Sequence, residues 1–234
     1  MNNIHPSAVV GPKVELGDAN VIGPGVVLVG PLHIGNDNWI GPHTVIGTPA
    51  EIRGIDHTAG WEEPAQHGGL SIGDHNVIRE GTCVHAPHYG RSSIGDDCYI
   101  MNNCYIGHDA LVEDSVTMAS TVVMGGHCRI GRGANLGLSA SLHQRSIVGP
   151  GAMVGMGSVV TRPVPPHSKA YGNPARVHGT NEVGLRRSDV DLTSIEWLES
   201  LYSAWDPGST LPVADAPGSL RADLGWFEQA VTGS

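Results

Sequence analysis

A bulky aliphatic side chain recurs at every sixth residue through most of this 234-residue chain. The period runs from Ile4 to Ile46, resumes from Ile72 to Val84, and continues without a slip from Ile94 to Val160. Neither the 3.6-residue period of a helix nor the two-residue period of an isolated strand produces this spacing. A fixed internal repeat is typical of solenoids, in which each coil packs on its neighbours. The hexads therefore predict an all-β parallel solenoid, with three short strands in each coil.

The composition agrees with short strands that turn at fixed intervals. Glycine is abundant, at 33 residues, whereas aromatic side chains make up only 5% of the chain. Three of the four cysteines (Cys98, Cys104 and Cys128) occupy the small-residue position of the hexad, where alanine and serine stand elsewhere. We expect these cysteines to be small buried hydrophobic residues, because none shows the spacing of a metal site.

The repeat also predicts the domain organisation. At three hexads per coil, the 23 hexads give seven to eight coils over residues 1–178. The hexads pause at residues 48–70 and 86–93, and we expect these two segments to leave the solenoid as loops. Residues 179–234 differ in composition and predict a small C-terminal α-helical extension. Two helices of this size cannot bury a core alone, so they should pack on the solenoid or on a neighbouring subunit.

Two helices are expected in that extension. Thr193 and Glu196 match a capping box, and apolar residues at helical spacing follow as far as Trp205. Pro207 should end this first helix. A second, weaker helix is predicted over 219–231, with its apolar residues on one face.

Charge restricts the classes of partner. The formal net charge of −10 argues against nucleic-acid binding. Residues 120–190 reverse the general sign, with eight basic against two acidic side chains, and could steer an anionic partner. No apolar run approaches the roughly 20 residues of a membrane span, and the N-terminus is polar. We therefore expect a cytoplasmic protein.

Three histidines stand at spacings close to whole coils. His108 and His127 are 19 residues apart, and His143 lies 35 residues after His108. With coils of about 18 residues, they should form a strip on one face of the solenoid. Asp109 could orient the imidazole of His108, which is suited to deprotonating a hydroxyl. Gly125 and Gly126 offer backbone N–H groups for a developing oxyanion.

The motifs MNNCYIGHD, VVMGGHCRIG, SLHQRSIVG and NEVGLRR stand among these hexads. Together they resemble the acyl-carrier-protein-dependent UDP-N-acetylglucosamine O-acyltransferases of lipid A synthesis, over essentially the whole chain. The resemblance implies a left-handed parallel β-helix that forms a homotrimer, with active sites between subunits. It implies no bound cofactor and no metal. The acyl donor would be an acyl-carrier-protein phosphopantetheine thioester or acyl-CoA, and the acceptor a hydroxyl of a sugar nucleotide similar to UDP-GlcNAc.

The resemblance also assigns roles to residues. His108 would be the general base on the sugar hydroxyl, Asp109 would support it, and the Gly126 N–H would stabilise the oxyanion. Met156 falls where the family sets acyl length, and its bulk predicts acyl groups shorter than myristoyl-type chains. The further residues expected to bind substrate are Asp56, His85, His127, His143, Gln144, Asn181 and Arg187.

Three other functions remain open at this stage. An acetyl-CoA-dependent sugar O- or N-acetyltransferase would use the same scaffold, and the GNPAR connector is familiar from such enzymes. A metal-dependent hydratase of the γ-carbonic-anhydrase type would need three histidines converging on zinc, two of them close in sequence. In this chain no close histidine pair follows His108. A non-catalytic scaffold is the last alternative.

Overall fold

A computed structural model describes residues 1–55, 68–206 and 208–233. The strands in chain order are β1 (Asn3–Ile4), β2 (Val9–Val10), β3 (Val14–Leu16), β4 (Val21–Ile22), β5 (Val27–Leu28), β6 (Leu32–Ile34), β7 (Trp39–Ile40), β8 (Val45–Thr48), β9 (Leu70–Ile72), β10 (Val77–Ile78), β11 (Cys83–His85), β12 (Ser92–Ile94), β13 (Tyr99–Ile100), β14 (Tyr105–Ile106), β15 (Leu111–Val112), β16 (Thr117–Met118), β17 (Val123–Met124), β18 (Arg129–Ile130), β19 (Asn135–Leu136), β20 (Ser141–Leu142), β21 (Ile147–Val148), β22 (Met153–Val154), β23 (Val159–Val160), β24 (Ser168–Gly172) and β25 (Ala175–Thr180). The helices are α1 (Glu182–Arg187), α2 (Leu192–Ala204) and α3 (Gly218–Thr232).

Every third strand belongs to the same sheet, so the chain winds around three parallel sheets. The first sheet runs from β1 through β4 to β24, the second from β2 to β23, and the third from β3 to β21. Within the described residues this gives eight coils and, with β24, the start of a ninth. The fold is a left-handed parallel β-helix with a C-terminal helical extension, which confirms the predicted fold class. The coil count slightly exceeds the prediction because β24 continues the first sheet beyond the last hexad.

The hexad aliphatics form one continuous core along the axis of the helix. Ile78, Ile100 and Met118 are in register on successive strands, and each is fully buried. Each aliphatic side chain packs on the aliphatic side chains of the coil before it and the coil after it, so the core is continuous through this region. The cysteines behave as expected: Cys98, Cys104 and Cys128 are buried and unpaired with one another.

Short corners connect the sheets, and a residue with positive φ turns the chain at most of them. Asp97, Asp109 and His127 are examples, with φ of 56°, 55° and 61°. Aspartate, asparagine and histidine are enriched in this left-handed region among residues other than glycine. The corners therefore hold polar side chains on the outside of the helix at regular intervals.

The helical extension differs from the sequence prediction in detail. Helix α2 begins two residues earlier than predicted, because the Asp191 side chain caps it by accepting a hydrogen bond from Ser194 N–H. The predicted capping box at Thr193 was wrong. Asp191, two residues earlier, is the N-cap, and aspartate is preferred to threonine at that position. The short helix α1 was not predicted. The expected boundary after residue 178 lies inside β25, which pairs antiparallel with β24.

Helices α2 and α3 share a second apolar cluster with the solenoid residue Ile147. A buried polar contact holds the same junction. Asp223 on α3 accepts a hydrogen bond from His167 at 2.7 Å and from Arg132 at 2.8 Å. Burial opposes ionisation of Asp223, but these two partners outweigh it and lower the pKa of the carboxyl. The charged form of Asp223 therefore stabilises the docked helices.

We expect Asp223→Asn to weaken this docking by about 2 kcal/mol, because a buried charged acceptor is lost. Since the folded pKa lies below the ordinary value near 4, the stabilisation is present above that pH and disappears as pH falls through the lowered pKa. Urea unfolding at pH 7 and hydrogen exchange of α2 and α3 measure the effect. The exposed Asp215→Asn is the matched control. Equal stability of the two variants at pH 7 would contradict the assignment.

In the described ranges, no helix has both the length and the apolar character that crossing a bilayer requires.

Candidate active site

The candidate site lies where the second sheet turns into the third. We call this the reactive corner, formed in successive coils by residues 86–91, 107–110, 125–128 and 143–146. His108 and Asp109 lie in one coil, and Gly126 and His127 lie in the next. The coils are tied directly, because His127 N–H donates to the His108 carbonyl at 2.8 Å. As predicted from their spacing, the rings of His108 and His127 meet, with centroids 5.0 Å apart.

Asp109 is the most constrained side chain at the corner. Its Oδ2 lies 2.7 Å from His108 Nδ1 and accepts from His88 N–H at 3.1 Å. Its Oδ1 accepts from the N–H groups of Tyr89 and Gly90, at 3.0 and 2.7 Å. The side chain is only 4% exposed. Burial would raise the pKa of Asp109, but the hydrogen bonds from His108 and the three backbone amides lower it. Asp109 is therefore a buried carboxylate.

That charge fixes the orientation of the catalytic candidate. An ionised carboxylate only accepts hydrogen bonds, so the proton of the His108 ring is on Nδ1, and this N–H donates a hydrogen bond to Asp109. Nε2 of His108 is then left with a free lone pair. This nitrogen lies directly over Gly126: a Cβ built on Gly126 would be 2.6 Å from it. The arrangement presents a base that is held in one tautomer and aimed at the neighbouring coil.

Gly126 also supplies a donor. Among the described residues, its backbone N–H has no hydrogen-bond partner. A free N–H beside the basic nitrogen is suited to an oxyanion that forms next to the reacting hydroxyl. The candidate base and the candidate oxyanion donor thus lie on adjacent coils of one corner.

His127 completes the cluster as a neutral group. Its Nε2 lies 4.0 Å from Asp109 Oδ2, and its ring is roughly parallel to that of Tyr89. Burial lowers the pKa of His127, the Asp109 charge opposes this, and Arg145 and His108 lower it further. The net direction is downward from an ordinary value near 6.5, so the imidazole is uncharged at neutral pH. It can donate or accept a hydrogen bond to substrate.

The other predicted residues of this corner are less closely joined. His143 and Gln144 are exposed in the next coil, and His143 Nδ1 lies 3.0 Å from the Gln144 carbonyl oxygen. In the described part of the chain no hydrogen bond or ring contact links His143 to His108 or His127. Of the three histidines expected to form a strip, His108 and His127 are therefore in contact, and His143 is not in contact with either of them.

His85 lies in the preceding coil and is buried. Its Nδ1 is 2.9 Å from the Pro49 carbonyl oxygen, and its ring is 5.2 Å from that of Tyr105. The side chain thus anchors the loop after β8. Asp56, also expected to bind substrate, falls outside the described residues.

The remaining candidates lie away from the reactive corner of the same chain. Met156 is 75% exposed at the corner between the first and second sheets. Asn181 caps α1 by accepting from Gly184 N–H, and its amide donates to the Gly151 carbonyl. Arg187 is exposed on α1, beside the Arg186–Glu182 ion pair. One chain alone does not bring these three residues to His108.

A metal ion has one candidate cluster in the described residues. His108, Asp109 and His127 each place a ligand atom within 4.8 Å of the others. The two oxygens of Asp109, however, already accept four hydrogen bonds, which fill the lone-pair sites of a carboxylate. The donor set therefore fits a buried orienting carboxylate better than a metal ligand.

Sequence reasoning missed the three amides that hold Asp109. His88, Tyr89 and Gly90 lie in the loop where the hexads pause, and the interruption was the only available signal. Consecutive backbone N–H groups of this kind form a concavity that binds anions. The loop insertion thus supplies the backbone amides that hold Asp109 beside His108.

The arrangement can be checked with Gly126→Ala. The backbone at Gly126 has an ordinary φ, so alanine strains nothing except the His108 ring that it would contact. We expect kcat to fall about tenfold or more, because a displacement of about 1 Å at a reacting group is costly. Gly218→Ala, where a Cβ meets nothing within 4 Å, is the control. An unchanged kcat in Gly126→Ala would show that the His108 ring does not need its present position.

Comparisons with known proteins agree with this fold. A family profile described as UDP N-acetylglucosamine O-acyltransferase, domain 2, matches residues 164–221. The chain superposes on the UDP-N-acetylglucosamine O-acyltransferase of Moraxella catarrhalis with a TM-score of 0.80 and 26% identity, covering 99% of this chain and 97% of that one. For the enzyme of Bacteroides fragilis the values are 0.78 and 25%, with coverage of 100% and 96%. A comparison with proteins of curated function gave no significant match.

The left-handed β-helix and the structural neighbours place the chain among the hexapeptide-repeat acyltransferases. Sequence profile and structural neighbours point to one group within that class. Within that class the chain is similar to the UDP-N-acetylglucosamine O-acyltransferases, by the profile over residues 164–221 and by the solved structures over essentially its whole length.

Proposed function

We propose that this enzyme moves an acyl group from a carrier-protein phosphopantetheine thioester to a hydroxyl of a sugar nucleotide similar to UDP-GlcNAc, with His108 as the general base. The observation that carries the proposal is the 2.7 Å contact of His108 Nδ1 with the buried Asp109 carboxylate. That contact leaves Nε2 free for the hydroxyl proton. The solved enzymes that resemble this chain act, by their names, on UDP-N-acetylglucosamine.

The chemistry is a direct transfer. His108 Nε2 takes the proton of the acceptor hydroxyl while the hydroxyl oxygen forms a bond to the thioester carbonyl carbon. The negative charge that develops on the carbonyl oxygen is stabilised by the Gly126 N–H. When the intermediate collapses, the carbon–sulfur bond breaks, and the imidazolium returns its proton to the leaving thiolate. The buried Asp109 stabilises the imidazolium between these two proton transfers.

We further propose that the working enzyme is a homotrimer with sites between subunits. Met156 and His108 occupy different corners of one chain, so a site containing both needs a second copy. The outward face of the second sheet is apolar and partly exposed, with Val9 at 56% and Val123 at 44%. Light scattering should then give three times the 24.5 kDa chain mass. A fully active monomer would contradict the intersubunit site.

Acyl-donor profiling tests the reaction itself. Purified enzyme is incubated with UDP-GlcNAc and either acyl-carrier-protein thioesters of graded chain length or acetyl-CoA. We expect turnover with the carrier-protein donors. Turnover with acetyl-CoA alone would favour the acetyltransferase alternative.

Met156 provides the test of chain length. Its side chain should limit the acyl group, so the wild type should prefer chains shorter than myristoyl-type chains, and Met156→Gly should shift the optimum to longer ones. Leu138→Gly, at the same corner one coil earlier, is a control for loss of apolar surface. Best turnover of the wild type with the longest donors would refute the role of Met156.

A further inference from the structure

An open groove of about 440 Å³ begins at the reactive corner and includes arginine side chains that the proposed mechanism does not use. Asp109, His127, Tyr89, Leu111 and Gly233 line it. Three guanidinium groups also line it: Arg91, Arg129 and Arg145. We call this the arginine groove. It extends from the catalytic pair across the third sheet to the C-terminal end of α3.

The three arginines of the groove lack counter-charges. Within the described residues, none of them has a carboxylate oxygen within 4.0 Å. By contrast, Arg79, Arg132 and Arg186 each form an ion pair. The whole chain carries a net charge of −10, so a concentration of unpaired positive charge goes against its general sign. Such a groove attracts anions.

Arg129 gives the groove a fixed element. Its guanidinium lies 6.0 Å from the Trp226 ring centroid and donates to the Ala230 carbonyl at the end of α3. Its Nε is buried and has no hydrogen-bond partner. Arg145 is close enough to His127 to lower the pKa of that imidazole. The positive charge thus reaches the catalytic cluster, where four hydrogen bonds already hold the Asp109 carboxylate.

We propose that the arginine groove binds a phosphate group of one of the two substrates and so holds that substrate against the reactive corner. The inference rests on the proposed function, in which both substrates carry phosphate: a diphosphate in the sugar nucleotide, and a phosphodiester at the far end of the donor's pantetheine arm. Guanidinium groups suit phosphate because their planar donors pair with two oxygens at once. Leu111 and Tyr89 add apolar surface for the atoms next to the phosphate.

The test uses Arg91→Gln and Arg145→Gln, since both side chains are exposed and Arg129 is packed on Trp226. Each should raise the KM of one substrate about tenfold, with kcat changed less than twofold, because a charge-assisted hydrogen bond is lost. The effect should shrink as salt is added. Exposed Arg176→Gln, at the β24–β25 hairpin, is the matched control.

Two pairs of substrates identify which phosphate is bound. If the donor's phosphate occupies the groove, the variants raise the KM of acyl-phosphopantetheine but not of acyl-pantetheine. If the nucleotide occupies it, they raise the KM of UDP-GlcNAc with either donor. Unchanged KM values, or an equal change in Arg176→Gln, would overturn the proposal.

A separate measurement keeps this proposal distinct from the proposed function. Calorimetric titration with inorganic pyrophosphate requires no turnover. If the wild type transfers no acyl group, the proposed function fails, and the groove is judged on this titration alone. Binding that weakens about tenfold in Arg91→Gln and Arg145→Gln supports the groove. Binding that is absent, or equal in all variants, overturns it.

Discussion

Replacing His108 with alanine should lower kcat by about 10²–10⁴-fold while the KM of the sugar nucleotide changes little, because the general base acts only in the transition state. The side chain is 16% exposed and touches Asp109 and His127, so it contributes few packing contacts to the core. The solenoid should therefore fold normally. Steady-state kinetics with an acyl-carrier donor measures the loss.

A second variant separates the proton transfer from the hydrogen bond. In His108→Asn, the amide can still donate to Asp109 as Nδ1 does, but no basic nitrogen remains. We expect His108→Asn to be as inactive as His108→Ala. The exposed His33→Ala, on the third sheet three coils before His108, should retain full activity. Activity of His108→Asn above a tenth of wild type would remove His108 from the role of base.

The fold was predictable because the six-residue repeat reflects the stacking of aliphatic side chains between coils, which forms the core of the solenoid. Ile100, Met118 and Leu136 stack in the core only if six residues span each side of an 18-residue coil, so the spacing and the fold are the same information. The helix starts were less predictable. Asp191 and Thr193 both offer a capping oxygen, and the sequence alone does not tell which of them the docked helix will use.

The sequence predicted which site residues meet between successive coils of the solenoid, but not where the inserted loop and the helical extension lie beside them. The 19-residue spacing correctly placed His108 beside His127, because register along a solenoid follows from counting. The path of the 86–91 loop depends on no such count, so the amides that hold Asp109 could not be foreseen. The groove formed by Arg91, Arg129 and Arg145 depends equally on where that loop and α3 end in space.

Asp109→Asn is the second variant with a large expected effect. The asparagine amide has one oxygen, whereas the carboxylate accepts from His108 and from the amides of His88, Tyr89 and Gly90. The NH₂ group of the asparagine would point at N–H groups that donate to the carboxylate in the wild type, so it could not replace their hydrogen bonds. We expect kcat to fall about 100-fold, because His108 loses both its fixed tautomer and the charge that stabilises the imidazolium. The effect should appear in kcat rather than KM.

The same substitution should reduce the free energy of unfolding by about 2 kcal/mol at pH 7, since charged hydrogen bonds to the loop are lost. The pKa of Asp109 is lowered in the folded state, so its contribution is complete above the ordinary value near 4 and disappears as pH falls through the folded pKa. Wild type and Asp109→Asn should therefore converge in stability in acid. Urea unfolding at pH 7 and below pH 4 measures this convergence.

Asp97→Asn is the matched control, because Asp97 has the same backbone conformation, with φ of 56° against 55°, but its side chain is 66% exposed at another corner. If the effect came from placing asparagine at a corner with positive φ, both variants would lose stability alike. If it comes from the buried carboxylate, only Asp109→Asn loses activity and pH-dependent stability. Equal behaviour of the two would mean that the corner conformation, and not the buried carboxylate, causes the loss, and the pairing of His108 with Asp109 would lose its catalytic meaning.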